Sequence, residues 1–290
     1  MPAAPTVCNA ERVQPASVAP SPSGGDVRAA LSWKLLPAIL VCGSAVLLFG
    51  VQIALAGYAV LLLGLGVAWF IDRQLFRDLL LIAIGLVIIS TISLEANIDY
   101  PNMALFAVVL SSAVAVPFLI HRFVFRERVI AFPWRGRGRW TRAQWIYIGA
   151  VVVMAIVLLP FYFISSGAYL NWPAVHEPDA VIRLFIGVNA VGIWDELFFI
   201  CTVFTLLCRH FPVWLANLLQ ATVFVSFLWE LGYQSWGPLL TIPFALVQGA
   251  IFRMTRSLSY VVTVHLLFDL VVFLVIVYAH NPEWFGAAAG

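Results

Sequence analysis

Long uninterrupted apolar stretches dominate the chain, and the sparse polar positions between them mark where each stretch begins and ends. A helix needs about 20 predominantly apolar residues to cross the hydrocarbon core, and shorter runs suffice where flanking residues snorkel to the interface. By that measure nine spans are predicted, over residues 34 to 52, 54 to 71, 79 to 94, 103 to 121, 145 to 168, 180 to 208, 213 to 231, 239 to 254 and 258 to 279. The pattern predicts an all-α polytopic membrane protein with about nine transmembrane helices. The first boundary is the least marked, because residues 35 to 71 carry no charge and only Gly50 and Gly57 suggest a break. No internal repeat is visible, so the signature of many secondary transporters is missing.

Composition agrees with the pattern. With 63% hydrophobic and 10% charged residues and a mean hydropathy of +0.99, the chain lies far from the soluble average. The net charge of +2 matters less than its placement: fifteen of the sixteen basic residues are Arg, and seven of these lie from Arg122 to Arg142. A basic cluster confined to one loop reads as an orientation signal, so the lipid bilayer is an expected partner and nucleic acid is not.

With the N-terminus in the cytoplasm, the inside segments hold Arg12, Arg28 and Lys34, then Arg73 and Arg77, the seven-Arg loop, Arg209, and finally Arg253 and Arg256. The outside loops carry Glu95, Asp99, Glu177, Asp179 and Glu283 instead. Only Arg183 departs from the rule, and it can snorkel or pair with Asp179 four residues earlier. The expected topology is N-in, C-out, since losing one span would invert half of the loops. Residues 1–30, rich in Pro, Ser, Ala and Gly, read as a disordered cytoplasmic tail. Cys8, Cys42, Cys201 and Cys208 form no CxxC and no metal-type spacing, so no disulfide is expected. The aromatic set Trp140, Trp145, Trp172, Trp236 and Trp284 is expected at the interfaces.

The candidate chemistry sits in the last four spans. Asp195 and Glu196 are adjacent in the apolar run from Ala180 to Cys208, where a lone acid at a helix centre costs roughly 2.5 to 3.5 kcal/mol on insertion scales. That cost favours a working site facing other helices. Glu230 ends the next run, and His265 and Asp269, four apart, share a helix face in the last one. Consecutive helical residues point about 100° apart, so Asp195 and Glu196 cannot aim at one point unaided. One is expected to be the chemical group and the other its support. A carboxylate can take a proton from water, and a histidine oriented by an acid can stabilise an oxyanion. Asn189, Asn217, Gln220 and Gln248 read as interhelical glue.

Three short motifs in order resemble the CPBP family, the CAAX-protease and bacteriocin-processing (Abi) intramembrane proteases, whose pattern is EExxxR, FxxxH and HxxxN or HxxxD on successive spans. Asp195-Glu196-Leu197-Phe198-Phe199-Ile200 stands at the first, Ser226-Phe227-Leu228-Trp229-Glu230 at the second and His265-Leu266-Leu267-Phe268-Asp269 at the third, and Gly249 to Leu258 also looks like the family's text. The departures are Asp195 for the first glutamate, Ile200 for the arginine and Glu230 for the histidine.

The resemblance divides the chain into N-terminal transmembrane helices over 31–175 and a CPBP-like protease region over 176–290. It implies an intramembrane endopeptidase in a bacterial inner (cell) membrane, acting on a membrane-tethered protein or peptide. Asp195 or Glu196 would activate water, Glu230 would position it, and His265 with Asp269 would stabilise the oxyanion. No cofactor is obligatory, but Glu196, Glu230 and His265 form a set able to hold a divalent metal such as Zn. A catalytically inactive relative that binds or protects a membrane partner, and a proton-coupled transporter, are the alternatives.

Overall fold

Nine helices correspond to the nine apolar runs among the described residues. They are α1 Leu35–Gly50, α2 Ala54–Ile71, α3 Arg73–Ile89, α4 Tyr100–Val124, α5 Arg142–Ser166, α6 Pro178–Leu207, α7 Val213–Leu231, α8 Pro238–Thr255 and α9 Leu258–His280. The computed structural model describes residues 32–136 and 138–286, so the expected tail over 1–30, together with Cys8 and Arg137, lies outside the described residues. The chain is an all-helical polytopic membrane protein: seven of the nine helices are long and apolar enough to cross a membrane. The shorter two are α1 and the 17-residue α3.

Local chemistry sets the helix starts. Asp72 caps α3, accepting from the backbone N–H of Gln74 at 2.7 Å and of Leu75 at 3.1 Å, and its carboxylate also pairs with Lys34. This cap moves α3 six residues upstream of the predicted start at 79, and residues 90 to 94 become loop. Apolar content alone cannot see a helix whose first turns are polar. A capping box of Thr141 and Gln144 opens α5, Pro178 and Pro238 occupy the first turns of α6 and α8, and Gly167, at φ 70°, ends α5.

One buried apolar core runs from Ala38 to Val277. Within it α1 packs on α2 and α7, while α9 lies against both α5 and α6. Gly85 lets α3 approach α6, since a Cβ there would collide with the Phe198 ring. Cys42, Cys201 and Cys208 are free thiols.

The arginine-bearing loops meet at one end of the helices. There Asp78 is buried, with Arg209 Nη1 at 2.9 Å and His210 Nε2 at 2.7 Å, and Arg209 also reaches Glu127 at 2.6 Å. These pairs tie the start of α3, the exit of α4 and the end of α6 together. The loops over 90–99, 167–177 and 232–237 meet at the other end. Trp172 belongs to that second group but is buried at 6% exposure, facing the protein interior and not the lipid interface expected of it.

Candidate active site

From Glu196 to Phe204, α6 adopts a π-helix, whose wider turns are frequent at functional sites. The hydroxyls of Thr202 and Thr205 follow the widened turn, each donating to the carbonyl five residues earlier, Leu197 and Ile200, at 3.0 Å. Immediately before it, Trp194 Nε1 donates to the Leu110 carbonyl of α4 at 2.6 Å and stacks on Phe198. Asp195 and Glu196 are thereby held at the α6 centre with 2% exposure each.

His265 solves the directional problem of two adjacent acids. Its Nδ1 lies 2.7 Å from Glu196 Oε1, and its Nε2 lies 3.7 Å from Asp195 Oδ2 and 3.8 Å from Asp269 Oδ1. The two ring nitrogens point to different edges, so one imidazole addresses carboxylates about 100° apart on the same helix. With Glu196 accepting from Nδ1–H, the Nε2 edge is left to the two aspartates. All four groups are buried.

Two residues outside the expected set complete the arrangement. Gln248, on α8, donates from Nε2 to Glu196 Oε1 at 2.8 Å and to the Val261 carbonyl at 3.2 Å, so it orients the carboxylate that orients the histidine. Its only sequence signal was an amide in an apolar span, the same signal as Asn217, which does serve as glue by donating to the Leu246 carbonyl at 2.6 Å. The other is Gly192. A Cβ there would collide with the Asp269 carboxylate, so glycine is what permits α6 and α9 to close around the site.

Asp195, His265 and Asp269 line a cavity of about 310 Å³ whose remaining walls are mainly apolar. Its far end is built by Ala96, Asn97 and Ile98 of the 90–99 loop, with Trp172 and Tyr233 from the neighbouring loops. Glu196 does not line it and faces Gln220 and Gln248 behind the histidine. Asp195 borders both spaces, but of the two adjacent acids it alone reaches the large cavity.

Glu230 is the expected residue that the structure does not bring to the site. It accepts from the Leu94 backbone N–H at 3.1 Å and so anchors the 90–99 loop. The reason is helical phase: Leu228 and Leu231 take the cavity side of α7, and Glu230 falls between them on another face. The metal set of Glu196, Glu230 and His265 is accordingly not assembled. Among the described residues no group of three or more His, Cys, Asp or Glu side chains stands where it could hold a metal ion.

Arg183, the exception to the charge rule, shares the anchoring task. It pairs with Asp179 at 2.8 Å as expected, and its Nη1 also donates to the Ile98 carbonyl at 2.6 Å.

A segment with two acids, a facing histidine and an aspartate one turn on, at the head of an apolar intramembrane cavity, has the parts of a hydrolytic site. Residues 177–271 match the family described as type II CAAX prenyl endopeptidase Rce1-like. The match runs from the start of α6 into α9 and includes Asp195, Glu196, Glu230, His265 and Asp269. Over this Rce1-like segment the resemblance carried by the three motifs holds. The first five helices lie outside it. No curated protein and no solved structure matches the chain.

Proposed function

We propose that this protein is an intramembrane endopeptidase that hydrolyses a peptide bond of a membrane-tethered protein or peptide at the Asp195–His265 edge of the cavity. The observation that carries this reading is the division of the imidazole. Nδ1 is committed to Glu196, and Nε2 faces the cavity between Asp195 and Asp269. Asp195 takes a proton from water, and the water oxygen attacks the peptide carbonyl carbon. The oxyanion that develops accepts a hydrogen bond from Nε2–H of His265, which Glu196 and Asp269 hold as imidazolium. The C–N bond then breaks, Asp195 returns its proton to the leaving nitrogen, and an acid and an amine are released.

Glu196 and Gln248 act behind the ring: they fix its rotation, so that Nε2–H faces the cavity. Apolar walls suit a segment arriving from lipid and exclude bulk water, which strengthens each electrostatic contact inside. These steps use protein groups alone. The chelator sensitivity of cleavage tests whether a divalent cation such as Zn takes part.

The diversion of Glu230 to Leu94 supports a second reading, a non-catalytic relative that binds or protects a membrane partner, because α7 then offers no polar group at the cavity where the family pattern has histidine. One comparison separates the two. Membrane proteomes of cells carrying the wild type, Asp195→Asn or His265→Ala are scored for new C-termini. Endopeptidase activity predicts C-termini present only with the wild type at equal expression. Identical proteomes with a retained cellular phenotype support the binding protein.

A further inference from the structure

Where the arginine-bearing loops meet, almost all acidic charge is already engaged. Asp72 pairs with Lys34, Asp78 with Arg209 and His210, and Glu127 with Arg209 and Gln74. No other acid lies at that end among the described residues, yet Arg126, Arg128, Arg135, Arg139, Arg142, Arg253 and Arg256 are all exposed. The basic segments are also joined. Gly136 lies against Ser257 so closely that a Cβ would clash with it, which puts the stretch bearing Arg135 beside the last turn of α8, bearing Arg253, and the α8–α9 turn, bearing Arg256.

Large apolar side chains are interleaved with these arginines. Phe123 is 69% exposed, Trp134 49% and Met254 84%. A surface built for a soluble acidic partner has little use for exposed aromatic and thioether groups. A surface resting at headgroup depth needs both kinds, guanidinium for phosphate and apolar anchors for the acyl boundary.

The same loop is fastened to the helix that carries His265. The first backbone N–H groups of α9 have no partners within their own helix, and here Leu258 N donates to the Pro133 carbonyl at 2.8 Å and Ser259 N to Trp134 at 3.3 Å. Tyr260 adds a hydroxyl bond to the Gln144 carbonyl at 2.9 Å and an edge contact with Trp140.

We propose that residues 122–136 and 138–142, with the last turn of α8 and the α8–α9 turn, form a binding surface for anionic phospholipid headgroups, and that headgroup binding steadies the N-terminal turn of α9. Guanidinium pairs with phosphate bidentately, so the preference is for lipids with net negative charge over zwitterionic ones. It does not depend on the peptidase reading.

The test uses the full chain purified in neutral detergent and transferred to nanodiscs of phosphatidylcholine, alone or mixed with phosphatidylglycerol. Native mass spectrometry of the released protein reads retained lipid, and hydrogen exchange reads the Leu258 and Ser259 amides. The expected result is enrichment of phosphatidylglycerol over its share in the disc, falling as salt is raised, with slower exchange at both amides. Combined Arg135→Gln, Arg139→Gln, Arg142→Gln and Arg253→Gln substitutions should abolish the enrichment, and the same positions changed to Lys should keep most of it. Should the Gln variant fail to fold, the salt dependence of the wild type decides. Retention that ignores lipid charge or salt, or preferential capture of a soluble polyglutamate peptide, overturns the proposal. So does an exchange rate at both amides that is the same in the two discs.

Discussion

Glu196 and His265 meet through Oε1 and Nδ1 at 2.7 Å, and this contact makes the adjacent Asp195 the cavity-facing acid of the pair. A carboxylate behind an imidazole ring holds its rotation while the other nitrogen works. The two neighbouring acids therefore have unequal substitution costs. Asp195→Asn and His265→Ala should each lower kcat/KM by about a hundred- to ten-thousand-fold, the usual range for removing a general acid or base. Glu196→Gln keeps an acceptor for Nδ1–H and should cost less. Cleavage of a fluorogenic membrane peptide in reconstituted vesicles ranks the three, and an equal or greater loss in Glu196→Gln would reverse the assignment.

Gln248 carries a prediction because it is one step further back. Gln248→Leu removes the donor to Glu196 Oε1 and leaves a buried carboxylate with one partner fewer, a loss of about 1 to 3 kcal/mol. Thermal unfolding in detergent should fall accordingly. The pH profile of cleavage should also move, because the carboxylate that holds His265 has lost its second partner. A lowered melting point with an unmoved profile would assign Gln248 to packing alone.

Gly192→Ala tests the close approach of α6 and α9. The added methyl would collide with the Asp269 carboxylate, and overpacking of this kind costs typically about 1 to 3 kcal/mol. Asp269→Ala should relieve the collision, so the double variant is expected to melt above the Gly192→Ala single variant. Additive losses would place the strain elsewhere.

At Glu230 the structure separates anchoring from chemistry. Glu230→Gln keeps an acceptor for the Leu94 amide and should preserve most activity, while Glu230→Ala should loosen the 90–99 loop. A cysteine placed at Thr241, on the cavity wall, reads this opening: its labelling by a membrane-impermeant thiol reagent should be faster with Glu230→Ala or Arg183→Gln than with both residues intact. If Glu230→Gln is as inactive as Asp195→Asn, Glu230 has a direct part in the reaction.

Asp72 supplies the pH dependence. Its bond to Lys34, with the backbone N–H of Leu75, holds its carboxyl at about 2, below the usual 3.8. Because the folded value is the lower one, the stabilisation is fully present above the ordinary value and is lost as pH falls through about 2. The melting difference between wild type and Asp72→Asn should be constant near neutrality and shrink in strong acid. The group is partly exposed and screened by solvent, so a small difference is expected.

Hydropathy by itself determined the helical, membrane-spanning architecture, because lipid forces every backbone polar group to be satisfied within its own segment, and long apolar runs then have one solution. The same logic singled out Asp195, Glu196, His265 and Asp269, since charge in an apolar run is expensive enough to announce itself. Only the tertiary structure decided which carboxylate faces the large cavity and which stands behind the histidine. That choice depends on the angular phase of α6, widened into a π-helix at Glu196, against α9, and adjacent residues carry no such information in their order. The fate of Glu230 turned on the same quantity: a helical phase that faces Leu228 and Leu231 to the cavity sends their neighbour to Leu94. Gln248 and Gly192 were legible as an amide and a glycine, but their roles exist only where three helices close on one imidazole.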